Sequence, residues 1–196
     1  MYKGVFSRLI VRICKKITKR GGKMAKKIIL NAGHTESGSG SGAIGYINES
    51  EEARKVVKAV KHYLTGKGHT VIIANVDKAQ SQSAYLYGVA RKANQHVDAD
   101  LFVSVHFNAG GGRGCECYTW RGKKTAAAVG VCDELNKYGF RNRGVKDGSN
   151  LYVISKTKMP AVLVEVCFVD NIKDVEQYRE IGVNRIAQAI TRGILK

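Results

Sequence analysis

The chain has 196 residues, of which 44% are hydrophobic and 25% charged, and its formal net charge is +17. A chain of this length and composition forms its own hydrophobic core, which excludes the need for disulfide staples. No apolar stretch is long enough to span a membrane, and the positive charge favours an anionic partner.

The first 23 residues form a separate basic segment that holds eight of the 33 Lys and Arg side chains and no acid. Its apolar residues recur at helical spacing: Phe6, Leu9, Ile10, Ile13 and Ile17. This pattern predicts a basic amphipathic helix of the kind that lies at a membrane interface, and an unstructured leader is the alternative. Arg8 and Arg12 break the apolar run, so no clear signal peptide is present and we expect synthesis in the cytoplasm. We therefore divide the chain into residues 1–23, a basic leader or fused peptide, and a folded domain at 24–196.

Strand-like and helix-like patterns alternate from Lys27 onward. Strands are predicted at 28–31, 71–74, 101–106, 114–119, 151–154 and 161–166. Helices are predicted at 50–65, 81–96 and 125–138, with helical turns from 172 and a last helix from 182, whereas 139–149 is predicted as loop. This alternation indicates a single three-layer α/β domain that has a twisted, mostly parallel sheet with helices on both faces.

The segment Leu101–Val105 is almost wholly apolar, which is typical of a strand buried on both faces at the centre of such a sheet. His106 follows at its carboxyl end, the edge where open α/β sheets bind ligands. His34 follows the first strand, and Glu165 interrupts the apolar strand that begins at Ala161. An ionised glutamate within a sheet costs free energy unless a cation or donor meets it.

Two histidines and one carboxylate form a common hydrolytic zinc set, and Glu49 is a candidate carboxylate at the start of the helix near Ser50. The residues alone also allow a structural alternative, in which the histidines are merely hydrogen-bonded. Glu49 would then only stabilise the helix N-terminus, a role that Glu51 and Glu52 fit equally well. No closely spaced H-E-x-x-H pair is present to decide between them.

Four segments resemble the motifs of the type 3 N-acetylmuramoyl-L-alanine amidases. They are Asn31–His34, Gly42–Gly45 with Asn48–Glu49, Ala93–Asn94 with Ala99–Ala109, and Pro160–Glu165 with Phe168 and Asn171. The similarity spans about residues 26–195, in the family's order and at its spacing, and the run around His106 is the most specific. The loop lengths resemble those of endolysins from phages that infect clostridia.

The resemblance implies a Zn²⁺ ion bound by His34, Glu49 and His106, with Glu165 as the catalytic residue. It implies hydrolysis of the amide between the lactyl group of N-acetylmuramic acid and L-alanine, so that peptidoglycan is the substrate and the bacterial cell wall the place of action. Glu49 is followed by Ser-Glu-Glu-Ala, where the family usually has Lys first and Asn fourth. This departure keeps Glu51 and Glu52 open as ligands.

The five cysteines are odd in number and form no C-x-x-C pair, so we expect free thiols made in a reducing compartment. Cys167 stands where the family has a glycine, and strand alternation places it on the face of Glu165. Cys167 could be either a catalytic thiol or an inert, packed thiol, and we favour the packed thiol. Cys115 and Cys117 share a strand face, where buried thiols are favoured over a second metal site.

A zinc-dependent peptidoglycan amidase is the leading hypothesis, and a non-catalytic peptidoglycan-binding protein of the same fold is the alternative. Residues 1–23 offer a contact to an anionic wall or membrane surface. A nucleic-acid partner is not expected, because residues 24–196 contain no zinc finger, RNP-like aromatic motif or basic recognition helix.

Overall fold

The computed structural model describes residues 24–38 and 40–196, so the predicted helix within 1–23 and Cys14 lie outside the described residues. The strands are β1 (Lys27–Ala32), β2 (Thr70–Ile73), β3 (Leu101–Asn108), β4 (Cys115–Thr119), β5 (Asn142–Asp147) and β6 (Ala161–Phe168). The helices are α1 (Glu49–Gly66), α2 (Gln82–Asn94), α3 (Ala126–Asn136), α4 (Tyr152–Lys156), α5 (Ile172–Ile181) and α6 (Val183–Ile194). None of these helices combines the length and apolarity needed to cross a bilayer.

The strands form one sheet in the order β2-β1-β3-β6-β4-β5. The first four are parallel to one another, whereas β4 runs antiparallel to β6 and pairs in parallel with β5. The predicted mostly parallel sheet is therefore confirmed, and β3 lies inside it between β1 and β6. Residues 101–105 are all buried, as expected of a strand that is covered on both faces.

The sheet has helices on both faces, which confirms the predicted three-layer domain. One hydrophobic cluster joins alternate residues of β1, such as Ile28 and Leu30, to α1, α3 and α6. A second cluster joins Ile29 and Phe102 to buried residues of α2 and α4 on the other face. The alternation within β1 and β3 therefore assigns each side chain to a layer, and His106 falls on the face of Phe102.

Two predicted elements are wrong. The predicted loop at 139–149 contains β5, an edge strand of mostly polar, half-exposed residues that gives no apolar alternation to detect. The predicted strand at 151–154 is instead the start of α4. Its consecutive residues Val153 and Ile154 are both buried against α2 and β6, and a run this short does not distinguish a strand from a helix.

The expectation that Cys167 shares the face of Glu165 is also wrong. The register between β3 and β6 shifts after His106, so a β-bulge follows Glu165. The bulge places Val166 and Cys167 together in the cluster beneath α1, α3 and α6, where Cys167 is fully buried. Burial raises the pKa of the Cys167 thiol well above its usual value, which disfavours a catalytic thiol. Cys115 and Cys117 lie in the same cluster, and all four cysteines within the described ranges are free and buried.

Candidate metal centre and active site

Glu49 is the first residue of α1 and is buried there. The helix begins at this point because the side chain of Asn48 caps it by accepting a hydrogen bond from the backbone N–H of Glu51. The carboxylate of Glu49 accepts hydrogen bonds from the backbone N–H groups of Ala43 and Phe107, at 2.9 and 3.2 Å. These contacts aim the side chain back towards the carboxyl end of β3.

His34 and His106 converge on one carboxylate oxygen. Oε1 of Glu49 lies 3.1 Å from Nε2 of His34 and 3.0 Å from Nδ1 of His106. One candidate ligand atom from each of the three residues lies within 4.8 Å of the other two. No other group of three or more His, Cys, Asp or Glu side chains in the described residues is spaced for a metal ion. The structure thus brings together the three residues named as metal ligands.

The second nitrogen of each imidazole is also held. Nδ1 of His34 lies 2.9 Å from the carbonyl oxygen of Gly40, and Nε2 of His106 lies 3.1 Å from Oγ of Ser104. The Ser104 hydroxyl in turn donates to Oδ1 of Asn31. When Nε2 of His34 and Nδ1 of His106 act as ligands, their partners fix both ring orientations, which is the usual outer support of a histidine metal site.

The charges of this cluster favour an ionised carboxylate. Burial alone would raise the pKa of Glu49, but hydrogen bonds from His106 and His34 hold it well below its usual range. Burial lowers the pKa of His106, whereas for His34 the hydrogen bond and charge of Glu49 outweigh burial and raise it. A carboxylate flanked by two imidazoles is a chemically suitable donor set for a divalent transition metal.

Replacing Glu49 by glutamine is expected to abolish tight metal binding, because the shared anionic oxygen would be lost. Glu51→Gln is the matched control, since Glu51 is exposed and lies two residues along the same helix turn. Metal titration against a chromophoric chelator would measure both variants. If Glu51→Gln lost the metal and Glu49→Gln kept it, the choice of Glu49 over its neighbours would be wrong.

Gly33 leaves the space that the ring of His106 occupies. A Cβ at position 33 would lie closer than 3.0 Å to three ring atoms of His106. We therefore expect Gly33→Ala to displace the ring and to weaken metal binding by about 10- to 100-fold, as disturbed support residues do. Gly66→Ala is the control, because a Cβ there meets nothing within 4 Å. Equal affinities of the two variants in a metal titration would show that this close approach does not matter.

Glu165 lies opposite His106 in the β3–β6 register. Its Oε2 atom is buried and has no hydrogen-bond partner within the described part of the chain. Burial, reinforced by the negative charges of Glu49 and Glu116, raises the pKa of Glu165 well above its usual value. Such an uncompensated carboxyl group costs stability, and groups of this kind cluster at functional sites.

A cavity of about 660 Å³ opens over these residues, between α2 and the segment that includes α4. His34, His106 and Glu165 line its inner wall, and Tyr85 and Tyr118 line its sides. The size is sufficient for a small ligand or a segment of a polymer. The inner residues are therefore accessible to a substrate even though most of their surface is buried.

Glu116 organises one side of this cavity, a role that the sequence did not suggest. Its Oε1 atom accepts hydrogen bonds from Asn108 Nδ2 and from the Tyr118 hydroxyl, both at 2.9 Å. Its Oε2 atom accepts from Arg143 Nε at 2.7 Å. The one sequence signal for this role was a single acidic residue within the strand β4. Glu116 lies beside the cavity because it pairs with Glu165 across β4 and β6.

Comparison with known proteins identifies the family. The sequence profile of the N-acetylmuramoyl-L-alanine amidase family Amidase_3 matches residues 28–196. The chain belongs to this family. The predicted resemblance is therefore confirmed, and the match covers every strand and helix from β2 to α6 and nearly all of β1.

Individual relatives of this amidase-family chain agree with that assignment. It is 38% identical over 176 residues to an uncharacterized Clostridium perfringens protein, covering 86% of the chain and 51% of that protein. It is 35% identical over 185 residues to the endolysin of Bacillus phage SPP1, covering 87% of the chain and 65% of the endolysin. The chain thus spans about half to two thirds of the length of these curated relatives.

A solved structure supports the same fold. The catalytic domain of the CD27L endolysin, which targets Clostridia difficile, matches with a TM-score of 0.79 and 29% sequence identity. The match covers 87% of this chain and 97% of that domain. The architecture of the amidase-family chain is therefore that of an endolysin catalytic domain.

Proposed function

We propose that this domain is a zinc-dependent amidase that cleaves the bond between the lactyl group of N-acetylmuramic acid and L-alanine in peptidoglycan. Membership of the amidase family and similarity to a phage endolysin support the substrate and the reaction. The convergence of His34 Nε2, His106 Nδ1 and Glu49 Oε1 beside the unpartnered Glu165 is the observation that supports catalysis most strongly.

Zinc is the metal that suits these residues best. Two imidazoles and one carboxylate are a common ligand set of hydrolytic zinc sites, which leave one coordination position open for water or substrate. The outer nitrogens of His34 and His106 are already hydrogen-bonded, as such sites require. A zinc ion held by His34, Glu49 and His106 would supply Lewis acidity, which can polarise a carbonyl group and lower the pKa of water to about 7.

Glu165 is the proposed general base and acid. Its carboxyl group lines the cavity. The positive charge of a divalent cation held by His34, Glu49 and His106 would favour the ionised form of Glu165 despite its burial. The carboxylate would then accept a proton from the attacking water and deliver it to the departing amine of L-alanine. Tyr118 is held by Glu116, and its hydroxyl keeps its proton because burial and Glu116 raise its pKa to about 12. It would therefore present a fixed polar group to the substrate near Glu165.

Incubation with purified Gram-positive cell walls would test the reaction. The expected result is the release of new N-terminal alanine groups together with loss of turbidity, both prevented by a chelator and restored by zinc. Binding to walls without alanine release would instead support the alternative, a non-catalytic peptidoglycan-binding protein. Release of reducing sugars, or cleavage of internal peptide bonds of the stem peptide, would show that the enzyme cleaves a different bond. Either result would contradict the assignment.

The place of action follows from the substrate, so we propose that the domain acts at the bacterial cell wall. Residues 1–23 are proposed to add contact with an anionic wall or membrane surface, on the strength of their eight basic side chains. Deleting them should leave the hydrolysis of soluble muropeptide unchanged and reduce binding to anionic vesicles. A truncated protein that is inactive on soluble substrate would contradict this division of the chain.

A further inference from the structure

A second groove, of about 290 Å³, lies beside the catalytic cavity and has no part in the proposed chemistry. It runs between α2 and α4, and Tyr152 lines both the groove and the cavity. Anything bound in the groove would therefore lie next to the substrate. The remaining walls include Arg91, Lys156, Lys158 and Tyr87.

The groove is held in shape by Asn94, near the end of α2. The Asn94 amide donates to the carbonyl oxygen of Lys156 at 2.7 Å and accepts from the backbone N–H of Lys158 at 2.8 Å. Both contacts use backbone atoms of the lysines. The two basic side chains thus project from a fixed segment, and truncating them leaves the connection between α2 and α4 intact.

The charge of the groove is uncompensated. Arg91, Lys156 and Lys158 are exposed, and none of them forms an ion pair in the part of the chain that the structure describes. None of the described residues that line the groove carries a carboxylate. Some bases elsewhere in the described residues do pair with an acid, as Lys27 does with Asp98. Three unpaired cations around one concave surface repel one another and attract an anionic ligand.

The chemistry of the groove favours phosphate groups. The guanidinium of Arg91 can bind phosphate oxygens in bidentate fashion, and two lysines add point charges along the same groove. Tyr87, which is 60% exposed, adds an aromatic surface and a hydroxyl donor. Several cations along an open groove suit a repeating polyanion better than a single small ion.

We infer that this groove binds a phosphodiester polymer of the bacterial wall and so holds the catalytic cavity against its substrate. The choice of the wall as the source of the polymer rests on the proposed function. The prediction is therefore an auxiliary wall-binding site within the catalytic domain itself, formed by Arg91, Lys156 and Lys158.

Sedimentation with purified Gram-positive walls would test this site, using the full chain with Glu165→Gln so that the walls stay intact. The groove variant combines Arg91→Ala, Lys156→Ala and Lys158→Ala. The control variant removes three exposed lysines elsewhere with Lys58→Ala, Lys61→Ala and Lys173→Ala. Each protein is measured on intact walls and on walls from which acid has extracted the phosphate polymers.

The groove variant is expected to bind intact walls about tenfold more weakly than the control variant, which corresponds to the loss of three modest ionic contacts. On extracted walls the two variants should bind equally. Equal binding on intact walls would overturn the inference. A difference that persists on extracted walls would also overturn it, because the groove would then recognise peptidoglycan itself. Absence of alanine release by the wild-type chain would defeat the proposed function while leaving this binding result unaffected.

Discussion

Replacing Glu165 by glutamine is expected to lower the rate of amide hydrolysis by about 10²- to 10⁴-fold while leaving the zinc content unchanged. Glutamine has nearly the shape of glutamate but neither accepts nor delivers a proton at this position. The three proposed ligands are His34, Glu49 and His106, so the metal site should stay intact. The rate of N-terminal alanine release and the zinc content of the same sample provide the two measurements.

Glu176→Gln is the control for this substitution, because Glu176 is exposed on α5, away from the cavity. It should retain both wild-type activity and zinc. Loss of zinc from Glu165→Gln would make Glu165 a ligand, and wild-type activity would exclude it as the proton carrier. Either outcome would contradict the proposed separation between metal ligands and proton transfer.

Replacing His106 by alanine is expected to reduce zinc affinity by more than about 100-fold, beyond the effect of disturbing a supporting residue alone. The substitution removes the Nδ1 atom that lies 3.0 Å from Glu49 and leaves Ser104 without its imidazole partner. Activity should fall in proportion to zinc occupancy and recover partly at high zinc concentration. Zinc titration and alanine release at several zinc concentrations would measure both effects.

His62→Ala is the matched control, since His62 is exposed on α1 and does not line the cavity. It should bind zinc like the wild-type chain. If His106→Ala kept full zinc affinity, the metal would have to be bound elsewhere and the proposed site would be wrong.

The grouping of the site residues could be predicted because it follows from sheet topology. His34 follows β1, and His106 lies near the carboxyl end of the neighbouring parallel strand β3. The carboxyl ends of such strands meet at one edge of the sheet. Glu165 lies on the adjacent strand β6, in register with His106. Burial of an acid in an apolar strand was visible in the sequence. The roles of these four residues stay predictions until metal and activity are measured.

Other features depend on contacts that a single sequence does not reveal. The bulge that turns Cys167 away from Glu165 is a local change of register between β3 and β6. The residues of β5 are mostly polar and do not by themselves predict a strand. They form a strand because they pair with β4 at the edge of the sheet. The support of His106 by Ser104 and Asn31 joins residues 73 apart in the chain.

The hydrogen bonds from Tyr118 and Asn108 to Glu116 are another feature that depends on contacts that a single sequence does not reveal. Glu116 meets Arg143 across 27 residues of chain, and β5 carries that arginine to the edge of the sheet. Since β5 was predicted as loop, the partner of Glu116 was not visible. The residues that support one side of the cavity could therefore not be predicted. The residues His34, His106 and Glu165 could be predicted.

An anomalous difference map recorded at the zinc absorption edge from crystals of the zinc-loaded chain would test the central proposal most directly. We expect a single strong peak in residues 24–196, in contact with His34 Nε2, His106 Nδ1 and a carboxylate oxygen of Glu49. A map with no peak among these three side chains, or with the ion held by other residues, would contradict it.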